Sequence, residues 1–283
     1  MNIQFLFYIF IQLKRKVDIL VLSDLHLGTN ATRTGRLLKY LKSISPKMLI
    51  LNGDIIDVWL LDLKNWPKKH NKIIGYFFNL MVNDVPIYYL TGNHDDYLRK
   101  FTDFKFHNFH LQDELILDLD GRKTWIFHGD KFDTSVSGSQ RKLAINAGKA
   151  FDKFVKFNRF VNSWEMFLGR KQTNFSKVIK ERTKKSVTDK NNFEQLYIDY
   201  AAKNGIDTVV CGHLHKPGIW KMCATESKTS VNYLNSGDWT ESCTALEYNK
   251  RKKEWSLYQY ESSKNPQNNV LSQIKLNPDE DLP

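Results

Sequence analysis

The chain has 283 residues, 41% hydrophobic and 26% charged, with a formal net charge of +11 that calls for an anionic partner: nucleic acid, an acidic lipid surface or a phosphorylated small molecule. Its length allows one large or two small domains with a well-buried core, and one α/β domain carrying an insertion fits best. Three cysteines, Cys211, Cys223 and Cys243, are odd in number and follow no metal-binding spacing, which excludes a disulfide scaffold and points to a reducing, cytoplasmic compartment.

Near the amino end, residues 5–11 are apolar before Lys14-Arg15-Lys16, far short of the roughly 20 residues of a membrane span. The basic cluster follows the apolar stretch and no small-residue cleavage site appears, so an export signal is not expected. Residues 1–16 are read as a tail, either disordered or loosely docked, or a shallow interfacial anchor. Asp18 to Ser23 is then a strand, and Thr32 to Ile44 carries Leu37, Leu38 and Leu41 at helical spacing. Leu49-Ile50-Leu51 is an apolar run expected to be a strand buried on both faces, completing a βαβ unit. Pro67 to Val82 is a helix with Ile73, Ile74, Phe77, Phe78 and Met81 on its apolar side, and Pro86 to Thr91 is the next strand.

Glu114 to Leu119 and Lys123 to Phe127 flank Asp120-Gly121, the signal of a hairpin and of a shift from parallel to antiparallel pairing. Residues 137–190 carry no strand signal and read as a helical insertion. A helix over Phe193 to Asn204 and a strand over Thr208 to Cys211 follow, then strands at Val231 to Asn235, Thr244 to Tyr248 and Glu254 to Gln259. Beyond Ser262 the chain is polar and contains proline, so 263–283 is expected to be disordered. The main domain is therefore placed at 17–262.

Five strand-like runs stop at metal-type side chains. They lead into Asp24-Leu25-His26, Gly53-Asp54, Gly92-Asn93-His94-Asp95, His128-Gly129-Asp130 and Gly212-His213-Leu214-His215. Open α/β sheets bind ligands beyond the carboxyl ends of their strands, so these groups are placed at a site. His70, His107 and His110 are read as solvent-facing or capping. Asp57, Asp95 and Asp130 are read as outer groups holding a histidine or a loop amide.

This ordered set resembles the calcineurin-type metallophosphoesterase superfamily over roughly Asp18 to Trp239. The resemblance implies a four-layer αββα sandwich, two sheets with helices outside; the elements alone do not choose a sandwich over a single mixed sheet. It also implies two divalent cations, the first on Asp24, His26, Asp54 and His215, the second on Asp54 as bridge with Asn93, His128 and His213. Mixed Asp, Asn and His donors suit Mn²⁺, Fe²⁺ or Zn²⁺, and paired cations lower the pKa of a shared water and stabilise charge on phosphoryl oxygens. His94 is not a ligand in that pattern and is implied to face the leaving group as general acid or hydrogen-bond donor.

Gly53-Asp54-Ile55-Ile56-Asp57-Val58-Trp59, the His128-Gly129-Asp130 element, Gly212 to Pro217 and Leu234 to Trp239 resemble the UDP-2,3-diacylglucosamine pyrophosphohydrolases of lipid A synthesis. That resemblance implies cleavage of the UDP-lipid at its pyrophosphate, giving UMP and a diacylglucosamine 1-phosphate, usually with manganese. The best-studied branch carries arginine where this chain has His94, which leaves room for a paralogue with another substrate.

Between 139 and 190 the chain carries fourteen Lys or Arg against four Asp or Glu, interleaved with Phe151, Phe154, Phe157, Phe160, Trp164 and Phe167 on one helical face. Such a face is the packed side of a helical hairpin, a partly open surface for acyl chains, or a nucleic-acid grip. The family resemblance makes it a lid, with substrate contacts at about 139–185. Two functions follow: a peripheral hydrolase of a nucleotide-activated lipid at the cytoplasmic face of the inner membrane, or a soluble metallophosphodiesterase or nuclease acting on nucleotides or nucleic acid. A non-catalytic scaffold is disfavoured, because no ligand position is lost.

Overall fold

In the computed structural model, residues 14–61, 63–131, 193–260 and 270–276 are described. The insertion at 137–190, with its expected contacts at 139–185, and the apolar stretch at 5–11 lie outside the described residues.

The apolar runs are continuous because each strand faces two different cores. The chain opens with β1 (Arg15–Val17), β2 (Ile19–Leu22), α1 (Thr34–Ser43), β3 (Ile44–Pro46), β4 (Leu49–Asn52), α2 (His70–Val82) and β5 (Ile87–Leu90). Next come β6 (Lys105–Phe106), β7 (Phe109–Gln112), β8 (Glu114–Leu119), β9 (Arg122–Phe127), α3 (Phe193–Lys203) and β10 (Thr208–Cys211). The last elements are β11 (Gly218–Cys223), β12 (Ser230–Asn235), β13 (Thr244–Asn249), β14 (Glu254–Gln259) and β15 (Val270–Lys275). Two short 3₁₀ turns, Leu63–Asn65 and Asp96–Phe101, sit in the loops.

An eight-stranded sheet runs β15-β14-β13-β2-β4-β5-β7-β6, and a five-stranded sheet runs β11-β12-β10-β9-β8. Side chains alternate across a strand, and β2 shows the consequence. Leu20 and Leu22 join Leu49 and Leu51 against Leu37, Tyr40 and Leu41 of α1 and Ile73 and Phe77 of α2. Ile19 and Val21 instead join Ile50 and Leu90 and meet Ile126, Val210 and Leu234 of the second sheet. On that sheet's far face, Trp125, Phe127, Val209 and Tyr233 pack against Tyr197, Ile198 and Ala201 of α3. The layers are thus helices, sheet, sheet, helix, the four-layer αββα sandwich. Among the described residues, no helix is long and apolar enough to cross a membrane.

The parallel-then-antiparallel expectation holds only in part. β8 and β9 form the expected antiparallel hairpin, but β9, β10 and β12 then pair in parallel. Both ends of the main domain also move. Arg15 and Lys16, expected in the tail, pair in parallel with Ile44 and Ser45, and the Arg15 guanidinium meets the Glu247 carboxylate, which also accepts a 2.6 Å hydrogen bond from Tyr40. Residues 270–275, expected to be disordered, add β15 antiparallel to β14. Leu276 reaches the core between the sheets, with Ile274 packed against it. Alternation in Val270-Leu271-Ser272-Gln273-Ile274-Lys275 is irregular, and only sheet-edge pairing and the buried Leu276 order the segment.

Leu276→Ala is expected to destabilise the protein by about 2–5 kcal/mol, the range for truncating a buried leucine. Urea unfolding measures it, and an unchanged midpoint would contradict the docking of this segment.

Candidate metal centre

The backbone leaves β2, β4 and β10 through the left-handed region. Asp24, His26, Asp54, His213 and His215 all have positive φ, between 47° and 56°. That conformation costs of order 1 kcal/mol per non-glycine residue, and at the carboxyl ends of β2, β4 and β10 it accompanies the convergence of Asp24, His26, Asp54 and His215. The loops continue the sheet: Asp24 N–H donates to Gly53 O at 3.1 Å, His26 N–H to Asp54 O at 2.9 Å and Gly212 N–H to His128 O at 2.9 Å. The glycines of the motifs have a steric reason. A Cβ on Gly53 would collide with the His128 ring, and one on Gly92 with the Asp54 carboxylate.

Asp54 is the hub. Its Oδ1 accepts the His94 backbone N–H at 2.8 Å, and its Oδ2 lies 3.3 Å from His128 Nε2, 3.9 Å from His26 Nε2 and 4.0 Å from His94 Nε2. Asp24 Oδ1 lies 2.9 Å from His215 Nε2 and 4.0 Å from His26 Nε2. Three overlapping groups, Asp24-His26-His215, His26-Asp54-His94 and Asp24-Asp54-His128, each bring their donor atoms within 4.8 Å of one another. Asp24 Oδ1, His26 Nε2, Asn93 Oδ1, His94 Nδ1 and His128 Nε2 are buried without a hydrogen bond. A buried unpaired polar atom costs about 1–3 kcal/mol, so donors left without partners around two carboxylates fit divalent cations.

Outer groups fix which ring nitrogen faces the centre. His26 Nδ1 lies 3.0 Å from Asp57 Oδ2, His94 Nδ1 3.0 Å from the same oxygen, and His128 Nδ1 3.0 Å from Asn52 O. Nε2 is the atom of all three rings that faces Asp54; for His26 and His128 the Nδ1 hydrogen bond plays the usual orienting role for a ligand imidazole, while His94 Nδ1 makes no hydrogen bond. Trp59 stacks on His94, 4.2 Å between ring centroids. Asp95 accepts from Ile55 N–H at 3.0 Å, from Tyr89 O–H at 2.6 Å and from Gly92 N–H, so it ties the Asp54 loop to the Asn93-His94 loop.

Charge follows geometry. Burial opposes ionisation of Asp54, but the His128, His94 and His26 imidazoles overcome it and hold the carboxyl well below its usual range. Burial likewise opposes charge on His128 and His26, yet Asp54 and Asp24 beside the first, and Asp57 and Asp54 beside the second, raise both. Asp57 falls to about 2 against its own burial, through the His26 and His94 contacts. Asp238 also falls to about 2, through His215 and the Thr240, Glu241 and Ser242 donors.

Asp24, His26, Asp54, His128 and His215 are therefore brought together, with Asn93 buried beside them. His213 stands at the margin: its ring centroid is 5.2 Å from that of His128, its backbone N–H reaches Asp24 Oδ2 at 3.2 Å, and its side chain is in none of the three groups. His94 approaches Asp54 as closely as His26 does. Asp57 and Asp95 act as expected, but Asp130 meets the Arg99 guanidinium at 2.7 Å instead of a histidine. His70, expected near solvent, is buried and accepts the Gly28 N–H at 3.0 Å. Asp238, 4.0 Å from His215 Nδ1, was not singled out; its Asp-Trp-Thr context reads as an ordinary turn, and its Thr240 and Ser242 contacts are those of one.

A family model described as calcineurin-like phosphoesterase matches residues 17–217. The chain is 25% identical over 237 residues to UDP-2,3-diacylglucosamine hydrolase of Vibrio cholerae, covering 82% of this chain and 95% of that one. A protein of the same name from Stenotrophomonas maltophilia is 26% identical over 243 residues, covering 80% and 93%. Among solved structures, a phosphoesterase from E. coli aligns over 92% of this chain and 99% of its own, with 12% identity and a TM-score of 0.44.

Asp54→Asn is expected to lose most bound divalent metal and nearly all turnover, since an amide cannot supply the charge facing three imidazoles; wild-type metal content with retained activity would remove Asp54 from the hub. A second expectation concerns the metal-stripped protein. His26 and His128 are raised above their ordinary value of about 6.5, so their stabilisation is full below that pH and lost as pH rises through the folded values. In EDTA the urea midpoint should be lower at pH 8.5 than at pH 6, and a midpoint that rises over this interval would contradict the charge assignment.

Proposed function

The chain belongs to the calcineurin-like phosphoesterase family, and from that premise we propose that it hydrolyses the pyrophosphate of UDP-2,3-diacylglucosamine to UMP and 2,3-diacylglucosamine 1-phosphate. That it is a metal-dependent phosphoester hydrolase follows from the family and from relatives that are themselves named hydrolases. The substrate is proposed from those relatives, which match most of the chain. The single observation that carries the chemistry is the set of unpaired His26 and His128 Nε2 atoms gathered at the Asp54 and Asp24 carboxylates, with a buried, unpaired Asn93 Oδ1 next in the chain to His94.

In this proposal Asp24, His26, Asp54 and His215 hold one divalent cation, and Asp54 bridges to a second held with Asn93, His128 and His213. Mn²⁺ suits the mixed oxygen and imidazole donors. Bound there, paired cations supply Lewis acidity to the phosphoryl oxygens and a water of lowered pKa. Asp57 Oδ2 is hydrogen-bonded to His26 Nδ1 and lies 3.0 Å from His94 Nδ1, so one carboxylate sits behind both the ligand side and the leaving-group side. Trp59 covers one face of His94. His94 Nε2 then donates a proton to the departing phosphate oxygen. The net charge of +11 favours action at an anionic membrane surface on the cytoplasmic side.

With Mn²⁺, the purified protein is expected to cleave UDP-2,3-diacylglucosamine much faster than its deacylated form or a short oligonucleotide. Equal rates on the two UDP-sugars, or cleavage of the oligonucleotide alone, would overturn the substrate. His94→Ala should keep both metals and slow turnover by roughly 10²–10⁴, the usual worth of a positioned acid; loss of metal in this variant would make His94 a ligand instead.

A further inference from the structure

On the helix side of the large sheet, a cavity of about 560 Å³ is lined by Ile56, Leu61, Leu63, Trp66, Asn71 and Ile74. The volume lies within the roughly 300–1,000 Å³ of small-molecule sites, and five of its six lining side chains are apolar or aromatic. Trp66 N–H is already engaged by Asn71 Oδ1 at 2.6 Å, so the indole turns a satisfied, greasy surface to the groove. Ile56, Trp66 and Ile74 pack on the core beneath α1 and α2, while Leu63, at the mouth, is 77% exposed. A large apolar side chain so open to water, at the end of an apolar slot, leaves burial unrealised in the free protein.

The groove is continuous with the centre through one segment of chain. Ile56 bridges to Leu27, next to His26, and Asp57 touches both His26 and His94. Val58 N–H donates to His94 O at 3.0 Å, Leu60 N–H to Asp57 Oδ1 at 3.0 Å, and Trp59 lies on the His94 ring. Leu61, two residues on, is already groove wall. No charged side chain is among the lining residues, which suits a hydrocarbon.

We propose that this groove seats one acyl chain of the substrate, making Ile56, Leu61, Leu63, Trp66 and Ile74 determinants of acyl specificity on the phosphoesterase core itself. The proposal rests on the lipid substrate proposed above, and two separate measurements keep the two apart. The first needs no nucleotide: 12-bromododecanoate should quench part of the tryptophan fluorescence, and Trp66→Phe should remove that part although six other tryptophans remain among the seven. The second compares kcat/KM on UDP-2,3-diacylglucosamine with that on deacylated UDP-glucosamine. Ile74→Trp, which fills the groove, should cut this ratio at least about tenfold, the factor that burial of two methylene groups carries. Leu63→Glu, at an exposed position on which folding does not depend, should cut it in the same direction. No quench, a quench that survives Trp66→Phe, or a ratio unchanged in both variants would overturn the groove as the acyl site. A Trp66-dependent quench in a protein that leaves the UDP-lipid intact would overturn the substrate and keep the hydrocarbon site.

Discussion

A buried carboxylate persists only where positive charge or hydrogen-bond donors face it, and Asp54, 2% exposed, is the point at which this protein meets that condition. One oxygen is pinned by the His94 N–H and the other faces three imidazoles. Everything nearby serves that placement. Gly53 and Gly92 keep Cβ atoms out of the space that His128 and Asp54 occupy, and Asp95 fastens the two loops that carry Asp54 and His94. The left-handed turns at Asp24, His26 and Asp54 hold because the strands behind them are packed on both faces, so the local cost is set against two cores.

The sandwich is what lets one centre draw on strands of both sheets. β2, β4 and β5 bring Asp24, His26, Asp54, Asn93 and His94 from the large sheet, and β9 and β10 bring His128, His213 and His215 from the small one. Apolar side chains between the sheets, Val21 and Ile50 against Ile126 and Val210, set how far apart the two halves of the centre stand. A single Asp57 oxygen lies 3.0 Å from Nδ1 of both His26, a proposed ligand, and His94, the proposed acid.

Much of the site was legible in the chain because a strand buried on both faces is an unbroken apolar run, and each such run ended at Asp, Asn or His. Thr208–Cys211 and Glu254–Gln259 were expected with the bounds found, and the helices within about three residues at either end. What could not be read was set by contacts distant in sequence. The choice of two sheets over one depends on β10 lying between β9 and β12, which no local pattern records. β11, whose middle is exposed, shows no periodicity, and β15 is ordered by its partner β14. Asp130 is expected to hold a histidine or a loop amide, but its partner Arg99 comes from a loop 31 residues earlier. Likewise His70, spaced like a surface residue, is drawn inward by the Gly28 backbone of the His26 loop.

Asp54 is proposed to serve two cations at once, which in two-metal sites lie about 3.5–4 Å apart. Electron paramagnetic resonance of the protein loaded with Mn²⁺ reads this directly, because two manganese ions sharing a bridge are exchange-coupled. A coupled multiline spectrum is expected at two equivalents of Mn²⁺ per chain. An isolated six-line spectrum at saturation, from one ion or from two that do not sense each other, would contradict it.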